Sequence, residues 1–341
     1  MVSWMKRDKE IKRDDLRTSS LWKFLVIVTF VFLVVFAFIM SNLMGSMKLS
    51  VSDIIKAIMV ADGTPQRLVI WNVRLPRTIV AALVGINLAL SGAILQGVMR
   101  NPLADPGIIG ISAGAGIAGI FILIVLPQYQ SLVPPFAFIG AMLAAMMIYV
   151  LAWKGGIQPL RVVLAGVAVS AFLGAGISAL LVFFSDRVHG ALMFMNGGLS
   201  ARSWPQVSMI LPYTVFGMAV SFLFAEKLNI LMLGDDTARG LGLNVEAVRL
   251  GFTAIAALLA ASAVSVVGLL GFVGLIIPHS ARLIIGSDYK YLFPASALLG
   301  ASLVMSSDTF ARTVFSPVEI PVGIVMAVCG VPFFLYLLRR E

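Results

Sequence analysis

Apolar runs of roughly 20 residues recur along this chain, parted by short segments rich in proline, glycine and charge. At about 1.5 Å of helical rise per residue, such a run suffices to cross a hydrocarbon core about 30 Å thick. Division at the polar segments gives about ten spans, at 22–44, 78–98, 107–126, 134–153, 161–184, 206–225, 249–270, 272–286, 293–309 and 320–338. The expected fold class is an all-α integral membrane protein with about ten transmembrane helices. The span 272–286 is short and contains Pro278, so a bent or partly re-entrant helix is expected there. Only 12% of the residues are charged, about half the fraction of a soluble domain, which excludes an ordinary globular chain.

The run 24–40 is too long and bulky for a cleaved signal peptide, and it reads as an uncleaved first span. Residues 1–20 form a charged tail, and 21–341 form a single transmembrane domain with a cytoplasmic loop at about 226–248. Counted over alternating segments, most Lys and Arg fall on the side of both termini, which places the termini in the cytoplasm and the chain in the cell membrane. The net charge of +9 is explained by that bias without nucleic acid.

Chemistry is sparse. One cysteine, Cys329, allows no disulfide within the chain, and two histidines, His189 and His279, are too few for a His-rich metal site. No P-loop is present. Asp308 and Glu319 fall at outer span ends and Asp288 at an inner one, leaving the span centres without the carboxylates that an ion-coupled transporter keeps there. A secondary transporter is the less favoured alternative, and no catalytic or metal constellation is found.

Two arginines, Arg74 and Arg77, stand at the expected start of the second span, on the outer side. Positive charge at a helix N-terminus opposes the helix dipole, and outside the cell it opposes the usual basic bias. Such charges need a partner, either lipid phosphate or carboxylates on an extracytoplasmic protein, and Pro76 fits a first helical turn. Arg312 follows Asp308 by four residues, so a local ion pair satisfies it. On the same side, Ser52 can cap a short surface helix with Ile54, Ile55, Ile58 and Met59 on one face. The loop at 226–249 carries Asp235 or Asp236 as a cap for a short helix, with Gly240 and Gly242 to end it. Its apolar residues Leu231, Met232, Leu233, Leu241 and Leu243 either fold against the membrane domain or dock on a cytoplasmic partner. Small residues at helix-packing spacing (Gly85, Ala89, Gly92; Gly110, Gly114; Gly268, Gly271, Gly274) imply close helix contacts. The pattern Val73-Arg74-Leu75, Thr78, Ala81-Ala82-Leu83 recurs as Val248-Arg249-Leu250, Thr253, Ala256-Ala257-Leu258 with opposite orientation, as an inverted internal repeat requires.

In order along the chain, several segments resemble the FecCD-type permeases, the membrane subunits of ABC importers for iron-siderophores, haem and vitamin B12. They are Arg74-Leu75-Pro76-Arg77; Ser91-Gly92-Ala93 with Gln96; Asn101-Pro102-Leu103-Ala104-Asp105-Pro106 leading to Gly110; and Leu233-Gly234-Asp235 through Leu241-Gly242. Gly271-Phe272-Val273-Gly274-Leu275 with Pro278-His279 and Arg282, and Glu319-Ile320-Pro321-Val322-Gly323, complete the set. The resemblance implies a permease that pairs with a second, identical or paralogous permease subunit. Two ABC ATPase subunits would drive it and an extracytoplasmic substrate-binding protein would feed it. It further implies docking of the binding protein at Arg74, Arg77 and Arg312. ATPase coupling would run through Leu233, Gly234, Asp235, Asp236, Ala238, Arg239, Leu241 and Gly242. Ala165, Ala168, Ala175, Gly176 and Ala179 of the fifth span are candidates for the pathway wall. ATP and Mg2+ would sit on the ATPase chains, with no cofactor on this one, and the expected cargo is an iron(III)-siderophore, with vitamin B12 or haem as the alternative.

Overall fold

The computed structural model describes residues 19–339 except 46, 48, 61, 62, 108, 109 and 155–157; most of the charged tail lies outside the described residues. The described chain is helical apart from short links. In order, the helices are α1 (Ser20–Leu43), α2 (Val51–Met59), α3 (Pro65–Met99), α4 (Ile111–Val125), α5 (Val133–Ala152), α6 (Pro159–Phe183) and α7 (Val188–Asn196). They continue with α8 (Trp204–Leu223), α9 (Ala225–Met232), α10 (Asp235–Gly240), α11 (Val245–Val267), α12 (Val273–Ile285), α13 (Tyr289–Thr313) and α14 (Val322–Leu338). Among the described residues, six helical stretches are long and apolar enough to cross a membrane: α1, α3, the stretch 127–152 that contains α5, α6, α8 and α11. Shorter apolar helices are α4, α12 and the stretch 322–335 of α14.

The second span is where the sequence reading needs correction. Its helix begins at Pro65, not at residue 78, so Arg74 and Arg77 lie within it and the helix-dipole argument does not apply. Pro76 is therefore internal and cannot donate to the carbonyl four residues back. The chain absorbs this with a π-helical turn at Ile70–Arg74, in which the Leu75 N–H donates to the Ile70 carbonyl. The short helix α2 is capped by Ser50 rather than Ser52: the Ser50 side chain accepts from the Asp53 N–H while Asp53 accepts from the Ser50 N–H. Ile54 and Ala57 are its buried face, packed with Ile70, while Ile55 and Met59 are exposed.

α3 is the axis of the molecule, buried against α8, α11, α12 and α13. Two glycine pairs bring it close to its neighbours. A Cβ on Gly85 would lie 2.2 Å from the Gly300 carbonyl oxygen, and one on Gly92 would lie 2.0 Å from that of Gly274. Such contacts suit packing in lipid, where close van der Waals fit replaces the hydrophobic drive. Buried polar groups on α3 find partners on α11: Asn87 Nδ2 donates to Ser262 Oγ at 2.9 Å, and Ser91 Oγ donates to the Ala256 carbonyl at 2.7 Å. Pro278 leaves the Gly274 carbonyl without its helical donor, and Gln96 Nε2 supplies one at 3.2 Å. Arg282 Nη1 donates in turn to Gln96 Oε1 at 3.2 Å. Residues far apart in sequence thus form one hydrogen-bonded unit.

The link between α11 and α12 is non-helical, with Gly268 and Phe272 at φ of +83° and +68°. Backbone groups from the end of α7 satisfy it: the Leu269 N–H donates to the Phe194 carbonyl at 2.9 Å, and the Gly198 N–H donates to the Val267 carbonyl at 2.8 Å. A broken backbone within a membrane protein is tolerated when buried and paired in this way. α13 is long but carries Ser296, Ser302, Ser307, Asp308 and Thr309, all buried against α1, α3 and neighbouring helices rather than facing lipid. At the other extreme α6 is the least buried of the long helices, and its exposed side carries Ala168, Ala171, Ala175 and Ala179.

Candidate functional site

Polar and charged side chains gather at the two ends of this core. At one end the π turn and the internal proline set Arg74 and Arg77 within α3, facing α1 and α13 respectively. Arg74 is only 4% exposed. Its Nη1 donates to the Asn42 and Leu43 carbonyls at 2.7 and 3.0 Å, and its Nη2 donates to the Met47 carbonyl at 2.7 Å. It therefore closes the C-terminal end of α1, supplying donors to carbonyls that a helix end leaves unpaired.

Arg77 holds two carboxylates. Its Nε and Nη2 each donate to Asp308 at 2.9 Å, and its Nη1 donates to the Glu319 oxygens at 3.0 and 3.2 Å. Glu319 Oε2 also accepts from Ser200 Oγ at 2.6 Å. Burial pushes the Glu319 carboxyl up, but the Ser200 hydroxyl and the Arg77 guanidinium outweigh it and hold the group below its ordinary value. The expected local pair of Arg312 with Asp308 is present at 3.8 Å, and Arg312 also donates to the backbone and hydroxyl oxygens of Ser41. Arg202, in the turn before α8, joins the cluster; burial and then the Arg77 charge hold its guanidinium below its ordinary value. The sequence reading singled out neither Ser200 nor Arg202, and their only signal was a place in a polar loop between two spans.

At the opposite end, α9 is seated through buried Leu228 and Leu231 and through Asn229, which donates to Asp288 at 2.8 Å and accepts from the Tyr289 N–H at 3.0 Å. α10 follows after Gly234 at φ +106°. Neither aspartate caps it as expected; Gly234 is the N-cap, and Asp235 and Asp236 occupy the first turn. Asp235 instead binds two arginines, Arg100 at the end of α3 and Arg249 at the start of α11, the latter at 2.9 Å and 1% side-chain exposure. Ala238 is buried, and the Leu243 N–H returns to its carbonyl at 3.0 Å, closing the helix at Gly242. Leu233 and Leu241 are left outward, 60% and 61% exposed, with Asp236 and Arg239 beside them. Of the pathway candidates, Ala168, Ala175 and Ala179 are exposed, while Ala165 and Gly176 are half-buried, Gly176 against Ile117.

A buried helical core with charge at its ends, flanked by apolar outer faces, defines a multi-helix integral membrane protein. A solved structure described as an inward-facing metal-chelate type ABC transporter matches it with a TM-score of 0.83 at 28% identity, over 93% of this chain and 99% of that one. The Fe(3+)-citrate import system permease protein YfmD of Bacillus subtilis is 38% identical over 95% of this chain and 96% of its own length. The cobalamin import system permease protein BtuC of Halobacterium salinarum is 42% identical over 81% of this chain and 75% of its own. The chain belongs to the FecCD transport family, whose sequence profile matches residues 33–340. It is a permease subunit of an ABC importer and is not itself catalytic.

Proposed function

We propose that this permease moves an iron(III) chelate of the siderophore or citrate type into the cytoplasm, by alternating access. The observation that carries the cargo reading is the nearly end-to-end likeness to a ferric citrate permease. The similar identity to a cobalamin permease supports vitamin B12 as the second reading. The test is uptake by a strain lacking the native gene and expressing this chain with its partner subunits. Radio-iron should accumulate from at least one member of a panel of siderophores and citrate. Accumulation of labelled cobalamin or haem, with no iron from any chelate, would replace the first reading by the second.

In this reading the chain holds no cofactor, and ATP with Mg2+ is bound by two partner ATPases. Their contact is the end formed by α9 and α10, where Leu233, Gly234, Asp235, Asp236, Ala238, Arg239, Leu241 and Gly242 lie. The exposed leucines would seat in the ATPase, and the Asp235–Arg249 pair would pass its motion to α11. An extracytoplasmic binding protein docks on the opposite end. There Arg74, Arg77 and Arg312 would set the charge and shape of the rim, because their guanidiniums are engaged within the chain. The exposed side of α6, with Ala165, Ala168, Ala175, Gly176 and Ala179 on or beside it, would face the pathway and a second permease subunit. Ten membrane crossings in the cell membrane, both termini cytoplasmic, fit this arrangement. An inverted repeat relating α3 and α4 to α11 and α12 is supported by the buried Arg74 and Arg249 and by the short helix, 15 or 13 residues, after each break.

A further inference from the structure

At the end of the molecule that holds Arg77, Arg202 stands beside a cavity without a carboxylate of its own among the described residues. Arg202 has its Nε shut off from solvent with no hydrogen-bond partner, and among the described residues no carboxylate forms an ion pair with it. Glu319 is near but already bound by Arg77 and Ser200. Both Arg202 and Glu319 line a cavity of about 470 Å3 whose other polar groups include Gln130, Ser131 and Gln206. A second cavity, of about 270 Å3, shares Pro134, Met209 and Ser265 with the first and continues between α5 and α8 past Phe138, Ile139 and Tyr213. Ile139 and Met209 are exposed at its edge, so the slot opens on the apolar flank of the protein.

Its depth is marked by tryptophan. Trp204, two residues after Arg202, stacks obliquely on Trp71 at 5.2 Å and donates from Nε1 to the Trp71 carbonyl at 2.9 Å. Paired tryptophans with polar handles belong at the level of lipid headgroups. Tyr213 lies nine residues further along α8, about 14 Å deeper at the rise of a helix. A guanidinium at headgroup level above an apolar slot matches an anionic amphiphile, with the phosphate on the planar donor fork and a hydrocarbon chain below it.

We propose that Arg202 binds the phosphate of an anionic phospholipid whose acyl chain occupies the slot between α5 and α8. The lipid would also brace α7, because Met193 and Phe194 line the same cavity and the Phe194 carbonyl holds the break before α12.

The purified permease–ATPase complex in mild detergent, titrated with dioleoyl phosphatidylglycerol, tests this by native mass spectrometry and thermal melting. The wild type should retain the lipid and melt higher with it, and should respond much less to phosphatidylcholine or to glycerol 3-phosphate. Arg202→Gln should weaken retention about tenfold, Arg202→Lys should lose less, and Met209→Trp should weaken it by filling the slot with the charge intact. Equal retention by wild type, Arg202→Gln and Met209→Trp would overturn the proposal. So would an equal response to glycerol 3-phosphate, which would make the site one for a soluble anion. If Arg202→Gln instead weakens only capture of the binding protein, the guanidinium serves a protein carboxylate and the lipid site is wrong.

Discussion

Arg249 reaches from the first turns of α11 to Asp235 in the first turn of α10, and its Nη2 donates to both carboxylate oxygens, at 2.9 and 3.2 Å. A buried guanidinium thus anchors a surface helix, and Arg100 ties the same carboxylate to the end of α3. A displacement of α10 would therefore act on two core helices through one carboxylate. Asp235→Ala would remove this carboxylate from the buried Arg249, and loss of one partner of a buried pair costs about 3–5 kcal/mol when no water reaches the other. Because Asp235 itself is partly hydrated, the lower part of that range is expected. Transport per ATP hydrolysed should fall at least tenfold in proteoliposomes, while Asp236→Ala, at a fully exposed carboxylate, should leave coupling unchanged. Equal coupling in the two variants would remove the lever role from Asp235.

Leu233 and Leu241 flank α10 and remain outward although its inner residue Ala238 is buried. Apolar side chains at an aqueous surface beside charged neighbours mark a contact for another protein. Leu233→Ser with Leu241→Ser should leave the melting temperature of the permease within about 2 °C while lowering ATPase co-purification several-fold. Wild-type recovery of the ATPase from the double variant would place its contact elsewhere.

Glu319 provides a pH signature. Its pKa is held below the ordinary 4.5 by the Ser200 hydroxyl and Arg77, against the opposing effect of burial. A carboxyl depressed in the folded state stabilises it fully above the unfolded value, and that stabilisation is lost as the pH falls through the lower, folded value. The wild type should thus lose melting temperature more steeply than Glu319→Gln below about pH 4.5, the two curves running parallel above pH 6. Because the side chain is well exposed, the difference should be small, and superimposable acid limbs would show that the pairing contributes nothing to stability.

The glycine seams of α3 are demanding. Gly92→Ala would place a Cβ 2.0 Å from a backbone oxygen of α12, where neither side has a flexible group to yield. Overpacking of this kind costs about 1–3 kcal/mol or more. Gly174→Ala on α6 meets nothing within 4 Å. Detergent melting should separate the two, with Gly92→Ala several degrees lower and Gly174→Ala unchanged; equal values would mean that the helices separate without loss.

Much of this architecture was legible in hydropathy alone, because a bilayer admits few alternatives to apolar helices and the runs are bounded by proline, glycine and charge. The start of α3 was not legible. Asn72 and the two arginines read as the head of the helix rather than its interior, since local pattern cannot show that Arg74 is satisfied by three carbonyls of a different segment or that a π turn absorbs Pro76. Nor could sequence pair Arg77 with Asp308 and Glu319, more than 200 positions away, although each had been noted as a charge at a span end. The coupling loop was legible as an amphipathic element, but the use of Asp235 was not: a capping aspartate and a buried ion-pair partner look alike until the fold brings Arg249 beside it.

Arg74 separates structural and docking roles. Arg74→Met removes the guanidinium donors from the Asn42, Leu43 and Met47 carbonyls. Each carbonyl that water cannot then reach costs about 1–3 kcal/mol, and the Asn42 residue is fully buried. Arg74→Lys should rescue only in part, since an ammonium lacks the planar fork that bridges two chain segments. Both variants should melt lower than the wild type, Arg74→Met more so. Binding-protein affinity, measured on the folded fraction by surface plasmon resonance, should change less than twofold. A tenfold loss of affinity at an unchanged melting temperature would mean that Arg74 leaves the end of α1 when the partner arrives, and would make it a direct docking contact.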